Sequence, residues 1–366
     1  MGATTVGPGI PATPEEITAE WLTAALNAGG TGDGAVVTAL AMEPVGVGVG
    51  LMGLLFRLTP TYGAGTGPAT MVLKMAPPYP QVREIASGYG FYGREVSMYR
   101  ELGPELGLRP PQLFYGDHDA SSDDFVLVME DLGHLRSCDQ LTGCSVADAQ
   151  LIVTELARHH ARWWEDPRLE ALPYVQSFAD PPFPQYHDQA CKQSWPIAVE
   201  RFGHLMPPRI IALGERWSEI GPALMEDGPN HARTLCHGDV RLDNVFFHGD
   251  GDDPVSIVDW QIAGHGPAAN DLGYFMSQSL TVEDRREHGE ALGLLYYDTL
   301  VDGGVRNYRF AEFWDDYRRA ALFCLCYPLQ AGAVELANDR ALALATSMLE
   351  RSMAAIIDLD ADALAP

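Results

Sequence analysis

The chain has 366 residues, 24 of them basic and 50 acidic, giving a formal charge of −26 at pH 7. That acidity argues against nucleic acid and anionic membranes as partners, because both require basic faces. Hydrophobic content of 46% fits a folded globular protein, and the length exceeds what one core usually holds, so two lobes are expected.

No run approaches the roughly eighteen apolar residues of a membrane-spanning helix. The first basic residue is Arg57, so neither a signal peptide nor a transit peptide is indicated, and a cytoplasmic protein is the simplest reading. The six cysteines include no C-x-x-C pair and are read as reduced, and the histidines form no metal-ligand pattern. The acidic surface is read as solvation, with attraction of a cationic acceptor as the alternative.

In chain order, Thr13-Pro14-Glu15-Glu16 combines an N-cap, a proline at the first helical position and a capping-box glutamate, and predicts a helix that stops at Gly29-Gly30. Strands are expected at 35–43, 51–59 and 69–75, with the Gly/Thr/Pro-rich 61–68 as a turn. The cluster Gly46-Val47-Gly48-Val49-Gly50 stands before the second of these, and Gly46, Gly48 and Gly50 would let backbone amides approach phosphates without side chains in the way. Arginine outnumbers lysine 22 to two, which suggests that lysine remains mainly where an ammonium is required. One of the two, Lys74, sits in the β-type run Met71-Val72-Leu73-Lys74-Met75.

Val96, Tyr99 and Leu102 then mark a helical stripe, and Glu95 on that segment is the candidate partner for Lys74. Glu101 is the fallback, and a solvated face for Glu95 is the alternative. A hairpin closes the first lobe, its second strand Phe125–Met129 running into Glu130-Asp131-Leu132-Gly133. Ser145 to Asp148 caps a long helix reaching Trp164, where His159 and His160 are read as packed core imidazoles rather than catalytic bases. Residues 165–231 are rich in proline and aromatic side chains, read as core packing, with an acceptor pocket or aromatic cage as the alternative.

The most informative stretch is His237-Gly238-Asp239-Val240-Arg241-Leu242-Asp243-Asn244, followed by Val245-Phe246-Phe247 and Ser256-Ile257-Val258-Asp259-Trp260. A phosphoryl-transfer site needs a carboxylate to hold the attacking hydroxyl, an amide oxygen for one Mg²⁺, and a second carboxylate bridging metal to nucleotide phosphates. Asp239, Asn244 and Asp259 can supply those three groups at the spacing of the protein-kinase catalytic loop. Downstream, Gly264-His265-Gly266-Pro267 leads to Asp271-Leu272, and the segment 281–366 reads as helices, closing with an amphipathic run from Ala341 to Ile357.

With Gly238 in place of the kinase arginine and Asp259-Trp260-Gln261 in place of D-F-G, the chain resembles the aminoglycoside phosphotransferase and choline kinase superfamily. The Asp271-Leu272-Gly273-Tyr274-Phe275 run looks most like its ecdysteroid-kinase-like branch. The resemblance implies an α+β, bilobal protein-kinase-like fold. Residues 1–130 would be an N-lobe with an antiparallel sheet plus helix, and 131–366 a mainly helical C-lobe. It further implies that Lys74, held by Glu95, meets the ATP phosphates, that adenine lies against the Met129, Glu130 and Leu132 hinge, and that Asp271 braces the catalytic loop. Asn244 and Asp259 would hold Mg²⁺, and Asp239 would receive the hydroxyl proton. Arg241 stands where many protein kinases carry a lysine near the transferring phosphate, with a salt bridge to Asp243 or another acid as the alternative. Only twelve positions separate Asp259 from Asp271, which disfavours a protein substrate and points to a small-molecule hydroxyl acceptor. A kinase-fold binding or regulatory protein without turnover is the alternative function.

Overall fold

The computed structural model describes residues 7–46, 52–249, 251, 254–333 and 339–366. The chain divides into two compact units, Met1–Leu135 and Arg136–Pro366. Among the described residues, no helix is long and apolar enough to cross a membrane.

The first unit is built on a five-stranded antiparallel sheet. Its strands are β1 (Asp33–Pro44), β2 (Leu54–Thr66), β3 (Met71–Met75), β4 (Leu113–Asp119) and β5 (Asp124–Glu130), in the order β1-β2-β3-β5-β4. The inner strands β3 and β5 carry nearly continuous apolar runs, as strands covered on both faces do. Helix α1 (Ala19–Ala28) packs Leu22, Ala25 and Leu26 against Val37, Leu58 and Met71 of the sheet. Helices α2 (Pro80–Tyr89) and α3 (Phe91–Ser97) join β3 to β4, meeting at Gly90, whose φ of +66° favours glycine.

Two expectations change here. The predicted helix from residue 13 is two pieces: Pro14–Glu16 form a single 3₁₀ turn, and α1 starts only after Thr18, whose hydroxyl accepts from the Trp21 amide at 3.2 Å. Thr13 makes no side-chain cap, and Glu16 instead takes the Ala12 amide at 2.7 Å, so the capping signal is spent on a turn. The expected turn at 61–68 is mostly strand. β2 continues to Thr66 because β1 is long enough to pair with it, Val37 facing Tyr62 and Val36 facing Ala64, while register shifts absorb the irregular residues.

The second unit is mainly helical. It contains α4 (Val146–Arg162), α5 (Arg168–Ala171), α6 (Phe183–Phe202), α7 (Pro208–Glu215), α8 (Trp217–Glu226), α9 (Ala269–Gln278), α10 (Val282–Asp302), α11 (Phe310–Phe323), α12 (Cys326–Ala333) and α13 (Asp339–Asp358). Ser145 caps α4 through its hydroxyl, which accepts from the Asp148 amide at 3.1 Å. Two small sheets complete the unit: β7 (Arg233–Cys236) with β10 (Gly264–Pro267), and β6 (Arg136–Ser137) with β8 (Val245–Phe247) and β9 (Val255–Ile257). One apolar core joins α6, α7, α8, α12 and α13 through Phe202, Ile210, Trp217, Leu329 and Leu349. Cys324 and Cys326 are buried, and desolvation pushes both thiols up, so they serve as small apolar packing groups. His159 and His160 are buried too; His159 Nε2 donates to the Leu235 carbonyl at 2.9 Å and His160 Nε2 to the Asp271 carboxylate at 3.2 Å.

Candidate active site

In the second unit the loop 237–244 leaves β7 and returns to β8. Gly238 turns it, with φ +84°, and a Cβ there would lie 3.0 Å from Ile262 Cγ2 and 3.1 Å from the Ile262 carbonyl. A larger residue at this position would meet both strain and that contact. The Asp239 amide donates to His237 Nδ1 at 3.2 Å, so Nε2 carries the ring proton and donates to the Val258 carbonyl at 3.0 Å. The imidazole lies edge-on to Trp260, centroids 4.7 Å apart. The first histidine of the motif is therefore a buried strut linking the loop to the segment that carries Asp259.

Asp271, on the first turn of α9, holds the start of the loop. Its Oδ2 accepts from the His237 amide at 2.7 Å and its Oδ1 from the Gly238 amide at 2.8 Å. Burial pushes this carboxyl up, but the hydrogen bond from His160, the nearby His237 and the Gly238 amide outweigh it and hold Asp271 below the usual range. His160, Cys236 and Asp271 bring three ligand-type atoms within 4.8 Å of one another. Both Asp271 oxygens already serve the loop, and desolvation pushes the Cys236 thiol well up, so this cluster is a brace.

The structure brings Asp239, Arg241 and Asn244 together. Asn244 Nδ2 donates to the Asp239 carbonyl at 3.0 Å and to Oδ2 at 3.1 Å, which leaves the Asn244 Oδ1 as the oxygen open to a cation. Arg241 Nε lies 3.4 Å from Asp239 Oδ2. The Asp239 charge, opposed by burial, holds Arg241 above its ordinary value, so it stays a cation. Of the acids open to Arg241, its ion pair is with Asp239, while Asp243 contributes a weaker attraction. Asp259 follows β9 in the left-handed conformation, φ +71° and ψ +62°, and the adjacent Val258 amide donates to the Asn244 carbonyl at 3.0 Å. A non-glycine residue there stores backbone strain of about 1 kcal/mol, of the kind found at functional sites. Asn244 Oδ1 and the Asp259 carboxylate are hard oxygen donors, the kind of group that Mg²⁺ takes.

Tyr274, on α9, was not singled out by the motifs. It is buried close to Asp239, and burial followed by the Asp239 charge pushes its hydroxyl well above its ordinary value. Tyr327 packs edge-on against it with centroids 4.6 Å apart. The signal for Tyr274 was present in the Asp271 to Phe275 run, where a helix puts residues three apart on one face.

In the first unit, Lys74 Nζ on β3 lies 2.9 Å from Oε1 and 2.8 Å from Oε2 of Glu95 on α3, and both side chains are buried. Glu101, the fallback, is exposed on the π-wound turn Met98–Leu102. At the end of β5, the Glu130 amide donates to the Gln112 carbonyl at 2.9 Å and the Leu132 carbonyl accepts from the Leu135 amide at 2.9 Å. Those two groups are thus already engaged, and the Glu130 carbonyl and Leu132 amide are the hinge groups that could meet a base. Asp131 fixes this backbone, accepting from Arg57 Nε at 2.7 Å and from the Gly133 amide at 2.9 Å. Met129 is buried within β5, between Val72 and Leu113. Gly46 is left-handed, φ +64°. Gly48 and Gly50 lie outside the described residues.

A family model, the ecdysteroid kinase-like family, matches residues 48–306. A kinase-like protein of Caenorhabditis elegans is 22% identical over 259 residues, which cover 64% of this chain and 65% of that protein. Acyl-CoA dehydrogenase family member 11 of Homo sapiens is 23% identical over 264 residues, 67% of this chain and 30% of that protein. The chain therefore spans less than two thirds of the length of these relatives. Among solved structures, the GDP complex of aminoglycoside 2'-phosphotransferase-IIIa superposes with a TM-score of 0.53 at 13% identity, covering 86% of this chain and 92% of that one. At that identity the likeness is one of fold.

Proposed function

The chain belongs to the ecdysteroid kinase-like family, and on that premise we propose that it is an ATP- and Mg²⁺-dependent kinase acting on a hydroxyl of a small organic molecule, an aminoglycoside-like natural product or a metabolite alcohol. The observation that carries this reading is the Asp239–Asn244 pair, 3.1 Å apart in a loop pinned by Asp271. A carboxylate held by a carboxamide is what hydroxyl positioning beside a metal requires.

In this reading the acceptor hydroxyl hydrogen-bonds an Asp239 carboxylate oxygen. As its oxygen bonds to the γ-phosphorus, the bond from that phosphorus to the β,γ-bridging oxygen breaks, the proton passes to Asp239, and ADP leaves. Asn244 and Asp259 would hold Mg²⁺, which when bound offsets phosphate charge. Lys74, oriented by Glu95, would meet the α- and β-phosphates, and Arg241 would face the transferring group with a fork suited to phosphate oxygens. Tyr274, buried close to Asp239, would limit the turning of that carboxylate. The short interval of β10 and one turn between Asp259 and Asp271 lacks room for a peptide platform, which supports a small acceptor.

The test is a nucleotide-consumption screen over hydroxylated metabolites and antibiotics, with the Asp239→Asn protein as background. GTP is run beside ATP because the structural neighbour holds GDP. Product formation with wild type and loss of it with Asp239→Asn supports the reading. Nucleotide binding with no turnover on any acceptor favours a regulatory protein instead.

A further inference from the structure

One glutamine ties the catalytic loop to the C-terminal helix. Gln140, in the turn between β6 and α4, is 1% exposed. Its Oε1 accepts from the Leu242 amide at 2.8 Å, and its Nε2 donates to the Gln278 carbonyl at 2.9 Å. Leu242 lies between Asp239 and Asn244, and Gln278 is the last residue of α9. Helix α9 therefore holds the loop at two points. Near its start Asp271 grips the His237 and Gly238 amides, and at its end the Gln278 carbonyl fixes the side chain that grips Leu242.

Arg351 on α13 completes the arrangement. Its Nη1 donates to the Gln140 carbonyl at 2.8 Å and the Gln278 carbonyl at 3.0 Å, and its Nη2 to the Leu141 carbonyl at 2.8 Å. The side chain is buried, and desolvation lowers it from its ordinary value. A buried guanidinium facing neutral carbonyls is a weak source of net stability. It is a good way to fix carbonyls in one plane, because the fork is rigid. It also places a cation at the negative end of α9. Helix α13 lies beyond the residues 48–306 that the family model matches.

We propose that Gln140 and Arg351 are positioning residues for phosphoryl transfer: Arg351 fixes Gln140, and Gln140 fixes the part of the loop that carries Asp239 and Asn244. The proposal rests on the kinase reading above. Neither residue touches substrate. Their effect runs through placement, where an error of about 1 Å can cost on the order of 10²-fold in rate.

The test uses the full chain with Gln140→Leu, Gln140→Glu, Arg351→Met and Arg351→Lys. Arg340→Gln is the control, breaking an exposed ion pair to Asp139 at 2.9 Å beside the same turn. Amide hydrogen exchange of the ligand-free protein is followed across 237–244, and rates are measured with Mg²⁺, ATP and an acceptor from the screen. In Gln140→Leu and Arg351→Met, loop exchange should rise about tenfold or more while the remaining peptides of 136–366 keep wild-type protection. kcat should fall about tenfold or more with little change in the KM for ATP. Gln140→Glu, which keeps an acceptor for Leu242 but loses the donor to the Gln278 carbonyl, should recover part of the loop protection relative to Gln140→Leu, and Arg351→Lys, which keeps charge without the fork, stands in if Arg351→Met does not fold. Unchanged loop exchange, a rise spread evenly over the unit, or no recovery in Gln140→Glu overturns the proposal. A wild-type protein that phosphorylates no acceptor sinks the kinase reading, and the exchange data still decide the brace.

Discussion

Asn244 donates from one side-chain nitrogen to both the carbonyl and the carboxylate of Asp239, at 3.0 and 3.1 Å. The proposed base and the proposed metal ligand are thus one hydrogen-bonded unit. Asp239→Asn keeps an acceptor oxygen for Asn244 but loses the charge that takes up a proton. Acceptor phosphorylation should fall by about 10² to 10⁴-fold, with nucleotide affinity largely kept. Unchanged kcat in steady-state kinetics would remove Asp239 from the catalytic assignment.

Asp259 combines a proposed metal contact with a left-handed backbone, φ +71°. Asp259→Ala should lose Mg²⁺-dependent nucleotide binding and also retain the strain, whereas Asp259→Gly should lose the same binding and gain about 1 kcal/mol of stability relative to Asp259→Ala. Calorimetric titration with ATP, in Mg²⁺ and in EDTA, separates the two effects. Metal-dependent affinity that survives in both variants would overturn the assignment.

Lys74→Met strips the ammonium from a buried carboxylate, since Lys74 is 6% and Glu95 1% exposed. Breaking a buried pair on one side costs about 3 kcal/mol or more, so denaturant unfolding should shift by that amount. Lys74→Met with Glu95→Gln should recover part of it. An unshifted midpoint in Lys74→Met would mean that the pair contributes little to this unit.

Arg241→Met tests whether the ion pair to Asp239 at 3.4 Å is catalytic or structural. The catalytic outcome is a lower kcat with ATP affinity retained, because a contact that strengthens in the transition state acts on rate. A variant with wild-type kcat and a lowered melting temperature would make Arg241 a brace.

His231 ties the segment before β7 to α11. Its Nδ1 meets Asp316 at 2.6 Å and its Nε2 meets Asp227 at 2.9 Å, while Tyr308 donates to Asp316 at 2.6 Å and Arg319 lies 3.3 Å from Asp227. The hydrogen bond to Asp316 raises its pKa above the ordinary 6.5, against the penalty of burial. A raised folded pKa means this stabilisation is fully present below the unfolded value of 6.5 and is lost as pH rises through the folded value. Wild type should therefore lose more stability than His231→Gln as pH rises above the ordinary 6.5. Parallel losses in the two proteins would show that His231 does not titrate in this window.

Much of the 237–244 loop was legible because its chemistry is local: the segment carries its acid, amide and turn glycine within a few residues. Local signals were less decisive where two sites competed. Thr13 and Thr18 both offer a cap, and the one that starts the helix is set by which turn buries Leu22 and Leu26 against the sheet. The choice of Glu95 over Glu101 likewise depends on the winding of Met98–Leu102, which leaves Glu101 exposed. The extension of β2 to Thr66 follows from a partner strand, and no property of 61–66 alone announces it.

By itself the sequence determined the family, the two-unit α+β organisation and the order of the chemical groups, since those are properties of residue type and spacing. Tertiary structure alone decided which groups meet across the chain. The Gln140 bond to Leu242 spans 102 residues and the Arg351 bond to Gln140 spans 211. Tyr274 reaches Asp239 because α9 runs beside the loop that Asp271 anchors. A hydrogen bond needs its partners within about 3 Å at the right angle, and for residues so far apart in sequence only the folded path of the chain brings them there.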